Sequence, residues 1–135
     1  VINFDGNSAA YLQYTFARLH KVLTSDEASD FSIESDLTTD SFSGIELTEN
    51  EREVLRLIPR FPEAVVQAAE DYKPHFINEY LFKLAQAVNS FYAADPILQA
   101  EGKQKELRLA ICQATSQIIE TGLGLLAGIE VPEEM

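Results

Sequence analysis

The apolar residues of the stretch Tyr11 to Leu23 recur at a spacing that only a helix uses. Leu12, Phe16, Leu19 and Leu23 stand at i, i+4, i+7 and i+11, which gathers them on one face of a 3.6-residue period and makes that face a core seam. The same periodicity returns in Ile77, Tyr80, Leu81, Leu84, Val88 and Phe91. No segment shows the period-two alternation of a half-buried strand. The expected fold is therefore all-α, a helical bundle of about five helices, with a long acidic loop between the first two.

Punctuation divides the helices. Asp5-Gly6-Asn7 marks a turn, with Ser8 placed to cap the first helix. Thr48-Glu49-Asn50-Glu51 has the form of a capping box and opens a second helix through Val54, Leu55, Leu57 and Ile58. Pro59 and Pro62 end that helix and start a third, short and small-faced, through Ala64, Val65, Ala68 and Ala69. Lys73-Pro74-His75 precedes the fourth, and Asp95-Pro96 and Gly102 precede the last. The last helix has apolar residues on more than one side, from Leu107 to Leu126, and is expected to be the central, most buried member. Gly122, Gly124 and Gly128 are expected to loosen its end.

Residues 24–47 carry Asp26, Glu27, Asp30, Glu34, Asp36, Asp40 and Glu46 and no base. Too little apolar surface is available there to offset chain entropy, so a solvated connection is expected, pinned loosely by Phe31, Ile33, Leu37, Phe42 and Ile45. Its carboxylates lack the spacing, glycine placement and neighbouring His of a metal site.

Composition bounds the function. A chain of 135 residues fits one domain, residues 1–135, able to bury about 70% of its unfolded surface. Ten Lys and Arg against 22 Asp and Glu leave a net charge of −12. That balance argues against general, charge-driven attraction to nucleic acid or anionic membrane. The single Cys112 has no disulfide partner and sits in an apolar run as a core residue. No run approaches the eighteen or so apolar residues of a membrane helix. Val1 in place of Met leads to the expectation of an N-terminus cut from something longer, with residues 1–7 as a hinge from a preceding domain.

Tyr14, Arg18 and Lys21 follow an i, i+4, i+7 track on another face of the first helix. Aromatic ring, guanidinium and ammonium together are the groups that stack on a base and hold a phosphate. They are equally the groups of a solvated edge lying over the core. Arg52, Arg56 and Arg60 form a second basic face, read as a salt-bridged surface. His75 lacks a partner for base catalysis, and no nucleophile-base-acid set or Gly-rich phosphate cradle is found. No catalytic residue, metal site or cofactor site is expected in this chain.

Short segments in order along the chain carry a resemblance. They are Asn7-Ser8-Ala9-Ala10-Tyr11-Leu12-Gln13-Tyr14 with Ala17-Arg18, then Arg60-Phe61-Pro62-Glu63, then Pro74-His75, Tyr80-Leu81, Leu84-Ala85 and Asn89-Ser90-Phe91-Tyr92. Arg108-Leu109-Ala110, Gly122-Leu123, Leu125-Leu126, Gly128-Ile129, Pro132-Glu133 and Met135 complete the set. Across nearly all of its length the chain resembles the C-terminal, DALR-type anticodon-binding domain of the arginyl-tRNA synthetases. The resemblance implies a non-catalytic bundle that receives unstacked bases of the anticodon loop of arginine tRNA between aromatic and apolar side chains. At positions matching the family's contact residues stand Tyr14, Tyr92 and Met135, and Arg18 matches its alanine-arginine pair. The implied partners are arginine tRNA and the protein's own catalytic domain, where ATP would be used, with no DNA, no membrane and a cytoplasmic location. Departures are Ala10 for the usual proline, Ala127 as an extra residue before Gly128, and Glu134 where a base is common. The competing reading is a helical protein-interaction module whose acidic surface meets a basic partner and whose RNA binding is weak or lost.

Overall fold

Helix starts and stops follow the local chemistry closely enough to explain the path of the chain. The structure, a computed structural model, describes residues 6–29 and 44–130. It consists of α1 (Gly6–Leu23), α2 (Glu49–Leu57), α3 (Phe61–Asp71), α4 (His75–Ala94) and α5 (Gly102–Glu130), with 3-10 turns at Asp26–Ala28 and Ile58–Arg60. Among the described residues there is no strand. The expected all-α bundle is what forms.

The capping box is present in full. Thr48 is extended (φ −75°, ψ 166°), its hydroxyl accepts from the Glu51 N–H at 3.0 Å, and Glu51 Oε1 accepts from the Thr48 N–H at 2.8 Å. Two orphan donors at the start of α2 are thereby satisfied. At the far end α2 stops at Leu57, Pro59 stands in the 3-10 turn that follows and Pro62 in the first turn of α3, as expected, while Ile58, Arg60 and Phe61 keep right-handed helical dihedrals. The Tyr80 hydroxyl donates to the Leu57 carbonyl at 2.7 Å at this joint, where the helical ladder is interrupted. α3 closes on Tyr72, which is left-handed (φ 51°, ψ 44°), while the Lys73 N–H returns to the Ala68 carbonyl at 2.9 Å.

α4 is the hub. Ile77, Tyr80, Leu81, Leu84, Ala85, Val88 and Phe91 are buried, and the helix packs against each of the other four. This differs from the expectation that α5 is central. α5 is apolar on more than one side because it covers α1 and α4 together, but its last turns leave Gly124, Leu125, Ala127 and Gly128 exposed. The helix runs past its glycines through Glu130. Gly122 marks a close approach of α5 to α4: a Cβ there would lie 2.6 Å from a methyl of Leu81. In α1, Leu12, Leu19 and Val22 are fully in the core, and Phe16 and Leu23 pack at its margin. α1 begins at Gly6, so Ser8 lies inside the first turn and is not its cap. Packing of Leu12 against the core, more than a side-chain cap, supports the helix outward from that point.

A polar cluster is buried where α2, the α4–α5 connection and α5 meet. Arg108 donates through Nε to Glu51 Oε2 at 2.6 Å and through Nη1 to the Pro96 carbonyl at 2.6 Å. The Thr48 hydroxyl donates to Asp95 Oδ2 at 2.6 Å. Glu51 is completely inaccessible and Arg108 is 5% exposed. Charges this dry persist only when paired and hydrogen-bonded, so the cluster fixes the exit of α4 against α2 and α5.

Of the acidic connection, the described part after α1 is a 3-10 turn with Ala28 buried, and Ile45 and Leu47 pack on the core before α2. Residues 30–43, residues 1–5 of the proposed hinge 1–7 and the tail 131–135, with Met135, lie outside the described residues, and Gly6 and Asn7, expected in the hinge, belong instead to α1. No described helix is long and apolar enough to cross a membrane.

Candidate nucleic-acid interface

α1 and α4 lie side by side, and aromatic contact holds them in register: the Tyr11 and Phe82 rings are 5.1 Å apart. Tyr14 and Arg18 are one helical turn apart on α1, and Tyr92 is near the end of α4. Their side chains meet. The Arg18 guanidinium lies 4.8 Å from the Tyr14 ring centroid and 4.3 Å from that of Tyr92, and Nη2 donates to the Tyr14 hydroxyl. A guanidinium over an aromatic face is drawn to the ring quadrupole and is more weakly hydrated than an ammonium. Two phenol rings from separate helices are thus tied through one cation.

The cluster is open on one side. Tyr14 is 53% exposed, whereas Tyr92 and Arg18 are half-buried. An exposed phenol face against a fixed positive charge can stack on a base and attract a phosphate. Lys21 is exposed one turn further along α1 and has no ion pair among the described residues. Three of the four residues singled out in the sequence, Tyr14, Arg18 and Tyr92, therefore come together. The fourth, Met135, lies outside the described residues.

Asn89 belongs to the cluster and was not singled out from the sequence beyond its place in the family match. Its Oδ1 accepts from Arg18 Nη1 at 2.9 Å. Its amide nitrogen faces the Thr15 hydroxyl at 2.9 Å, the Ala85 carbonyl at 2.9 Å and the Tyr11 hydroxyl at 3.1 Å. The available signal was an amide at the margin of the buried stripe formed by Ala85, Val88 and Phe91.

The other candidates stay apart from this site. Arg56 pairs with Glu53 at 2.6 Å on the surface, and its hydrogen bonds hold the Glu53 carboxyl below the usual carboxylate range. Arg52 donates to the Leu47 carbonyl at 3.1 Å, so of the three arginines on this face only Arg56 forms an ion pair among the described residues. Burial pushes the Cys112 thiol up to about 12, which keeps it a protonated core group. His75 lies with its ring 4.5 Å from that of Phe76 at the start of α4. Among the described residues no group of three or more His, Cys, Asp or Glu is arranged to hold a metal ion.

Comparison with known proteins gives this geometry a context. Residues 12–135 match the DALR anticodon binding domain. The chain is 41% identical over 135 residues to the arginine-tRNA ligase of Thermococcus sibiricus, covering all of this chain and 21% of that protein. It is 42% identical over 135 residues to the arginine-tRNA ligase of Pyrococcus abyssi, again covering all of this chain and 21% of the relative. The solved arginyl-tRNA synthetase of Thermus thermophilus superposes with a TM-score of 0.72 at 34% identity, over 98% of this chain and 22% of that one. The chain thus spans about a fifth of the length of these relatives. With the match over most of its residues and these identities over its full length, the chain belongs to the DALR anticodon-binding domain family of the arginyl-tRNA synthetases.

Proposed function

We propose that this chain reads the anticodon loop of arginine tRNA for an arginine-tRNA ligase, whose catalytic domain attaches arginine with ATP. The observation that carries the reading is the Arg18 guanidinium held between the Tyr14 and Tyr92 rings, with Tyr14 open to solvent. Sequence in RNA is read on unpaired bases splayed from a loop, and stacking contributes about 1–3 kcal/mol per base. An unstacked base would lie on the open face of Tyr14, with Arg18 supplying a donor and a charge beside it. Tyr92 backs the guanidinium, and Met135 at the chain end would add an apolar wall. The contribution is selective binding that orients the tRNA on the catalytic domain. The role belongs in the cytoplasm and needs neither DNA, a membrane nor a cofactor within this chain.

A net charge of −12 weakens nonspecific attraction to RNA, so stacking carries a larger share of the affinity than in a basic binder. Replacing Tyr14 with Ala tests this with little cost to folding, because the ring is more than half exposed. Affinity for an arginine anticodon stem-loop should fall about tenfold, the equivalent of roughly 1.4 kcal/mol, with little change for a stem-loop of another anticodon. Equal, weak binding of both stem-loops before and after the change would point instead to a protein-interaction module.

A further inference from the structure

We propose that Asn89 is a positioning residue for this site: it sets the Arg18 guanidinium between the two tyrosine rings before any RNA arrives. The inference rests on the tRNA-reading role of the cluster and adds a residue that makes the cluster a preformed receptor.

The hydrogen-bond chemistry leaves the Asn89 amide one orientation. The Thr15 hydroxyl hydrogen is committed to the Tyr11 carbonyl at 2.8 Å, so its oxygen faces Asn89 as an acceptor. The Ala85 carbonyl can only accept. The nitrogen of Asn89 must face these groups, which turns Oδ1 toward Arg18 Nη1 at 2.9 Å. Thr15 is completely buried, so this side of the arrangement is sheltered from water. Arg18 is then fixed at two points on different helices, Asn89 on α4 and the Tyr14 hydroxyl on α1. An arginine at a helix edge otherwise samples many rotamers. Held this way, the guanidinium presents its remaining N–H groups at a defined place beside the open Tyr14 face. Binding then avoids the loss of freedom that ordering a loose side chain would entail.

Two readouts on the 135-residue chain separate this proposal from the reading it rests on. In the free protein, the Arg18 side-chain proton resonances should be shifted upfield by the flanking rings. Asn89→Ala should return them toward random-coil positions. With an arginine anticodon stem-loop, Asn89→Ala should lose about tenfold in affinity, as expected for removing a bond to a charged donor. Arg18→Ala should lose a similar factor, and the double variant should lose no more than Arg18→Ala alone. Asn89→Ser bonds back to the Ala85 carbonyl and falls short of Arg18, so it takes the place of the alanine variant if that one does not fold. Unchanged Arg18 resonances in Asn89→Ala or Asn89→Ser, or losses that multiply in the double variant, would overturn the positioning role. A native chain that binds no arginine stem-loop would defeat the tRNA-reading role, while the Arg18 resonances would still decide whether Asn89 holds the guanidinium.

Discussion

Replacing Glu51 with Gln preserves the shape of a fully buried side chain and removes one charge from it. Both carboxylate oxygens of Glu51 are in use: Oε1 accepts from the Thr48 N–H at 2.8 Å and Oε2 from Arg108 Nε at 2.6 Å. Glutamine has one acceptor oxygen, so one of these donors would face an amide NH2. With the oxygen kept on the Thr48 N–H, Arg108, 5% exposed, retains only the Pro96 carbonyl; with the oxygen turned to Arg108, the Thr48 N–H goes unpaired. Removing one member of a buried ion pair costs about 3–5 kcal/mol. The bond that glutamine retains places this change at about 3–4 kcal/mol. For a chain of 135 residues, an unfolding entropy of about 2.1 cal/mol/K per residue converts this to a fall in Tm of about 10–14 °C. The assay is thermal unfolding followed by far-UV circular dichroism, with urea unfolding to confirm an unchanged slope. Adding salt should leave the difference intact, because charges this deep are poorly screened. The double variant Glu51→Met with Arg108→Met should recover part of the loss, since no charge is left stranded, while the Thr48 N–H and the Pro96 carbonyl lose their partners. A fall of less than about 3 °C for Glu51→Gln, equivalent to roughly 1 kcal/mol, would refute the claim that the pair is desolvated and mutually dependent.

Further outcomes follow from the packing and the buried titratable groups. Gly122→Ala should lower stability by about 1–2 kcal/mol in urea unfolding, because its Cβ would meet Cδ1 and Cδ2 of the fully buried Leu81 at 2.6 and 2.8 Å. Gly124→Ala, in the same helix with nothing within 4 Å, should raise stability by up to about 1 kcal/mol. The Cys112 thiol and Tyr80 hydroxyl ionise at ordinary values of 9.0 and 10.0 in an unfolded chain, and burial raises both to about 12 in the folded one. The unfolded state alone releases these protons as pH rises, so their stabilisation is complete below pH 9.0 and declines from there toward about 12. The urea midpoint should therefore fall above pH 9.0, and Cys112→Ala should move that onset toward 10.0, the ordinary Tyr80 value.

Local pattern carried much of this structure. The α4 stripe from Ile77 to Phe91 and the Thr48–Glu51 box are readable because helix periodicity and capping are set by residues within one or two turns of each other. The pairing of Tyr14 with Arg18 is legible for the same reason, as an i, i+4 relation. What escaped is long-range. Arg108 lies 57 positions from Glu51, and nothing near either residue announces the partner, so Glu51 shows only its capping role in the sequence. Asn89 reaches Arg18 across 71 positions and Thr15 across 74, and only the packing of α1 on α4 reveals it. The central place of α4 was hidden because apolar residues around a helix record how many neighbours it covers without naming which helix they surround. Ser8 has the chemistry of a cap, but a helix anchored by Leu12 extends past it.

The central claim is that this acidic bundle recognises unpaired bases by stacking around Tyr14, Arg18 and Tyr92. The most direct test is titration of a labelled arginine anticodon stem-loop, and of the same stem-loop with its anticodon bases substituted, at two salt concentrations. The account predicts that the substituted loop binds at least about tenfold more weakly at both salt concentrations, with salt affecting the two alike. Equal affinity for both loops, falling together as salt rises, would contradict it and leave only electrostatic association.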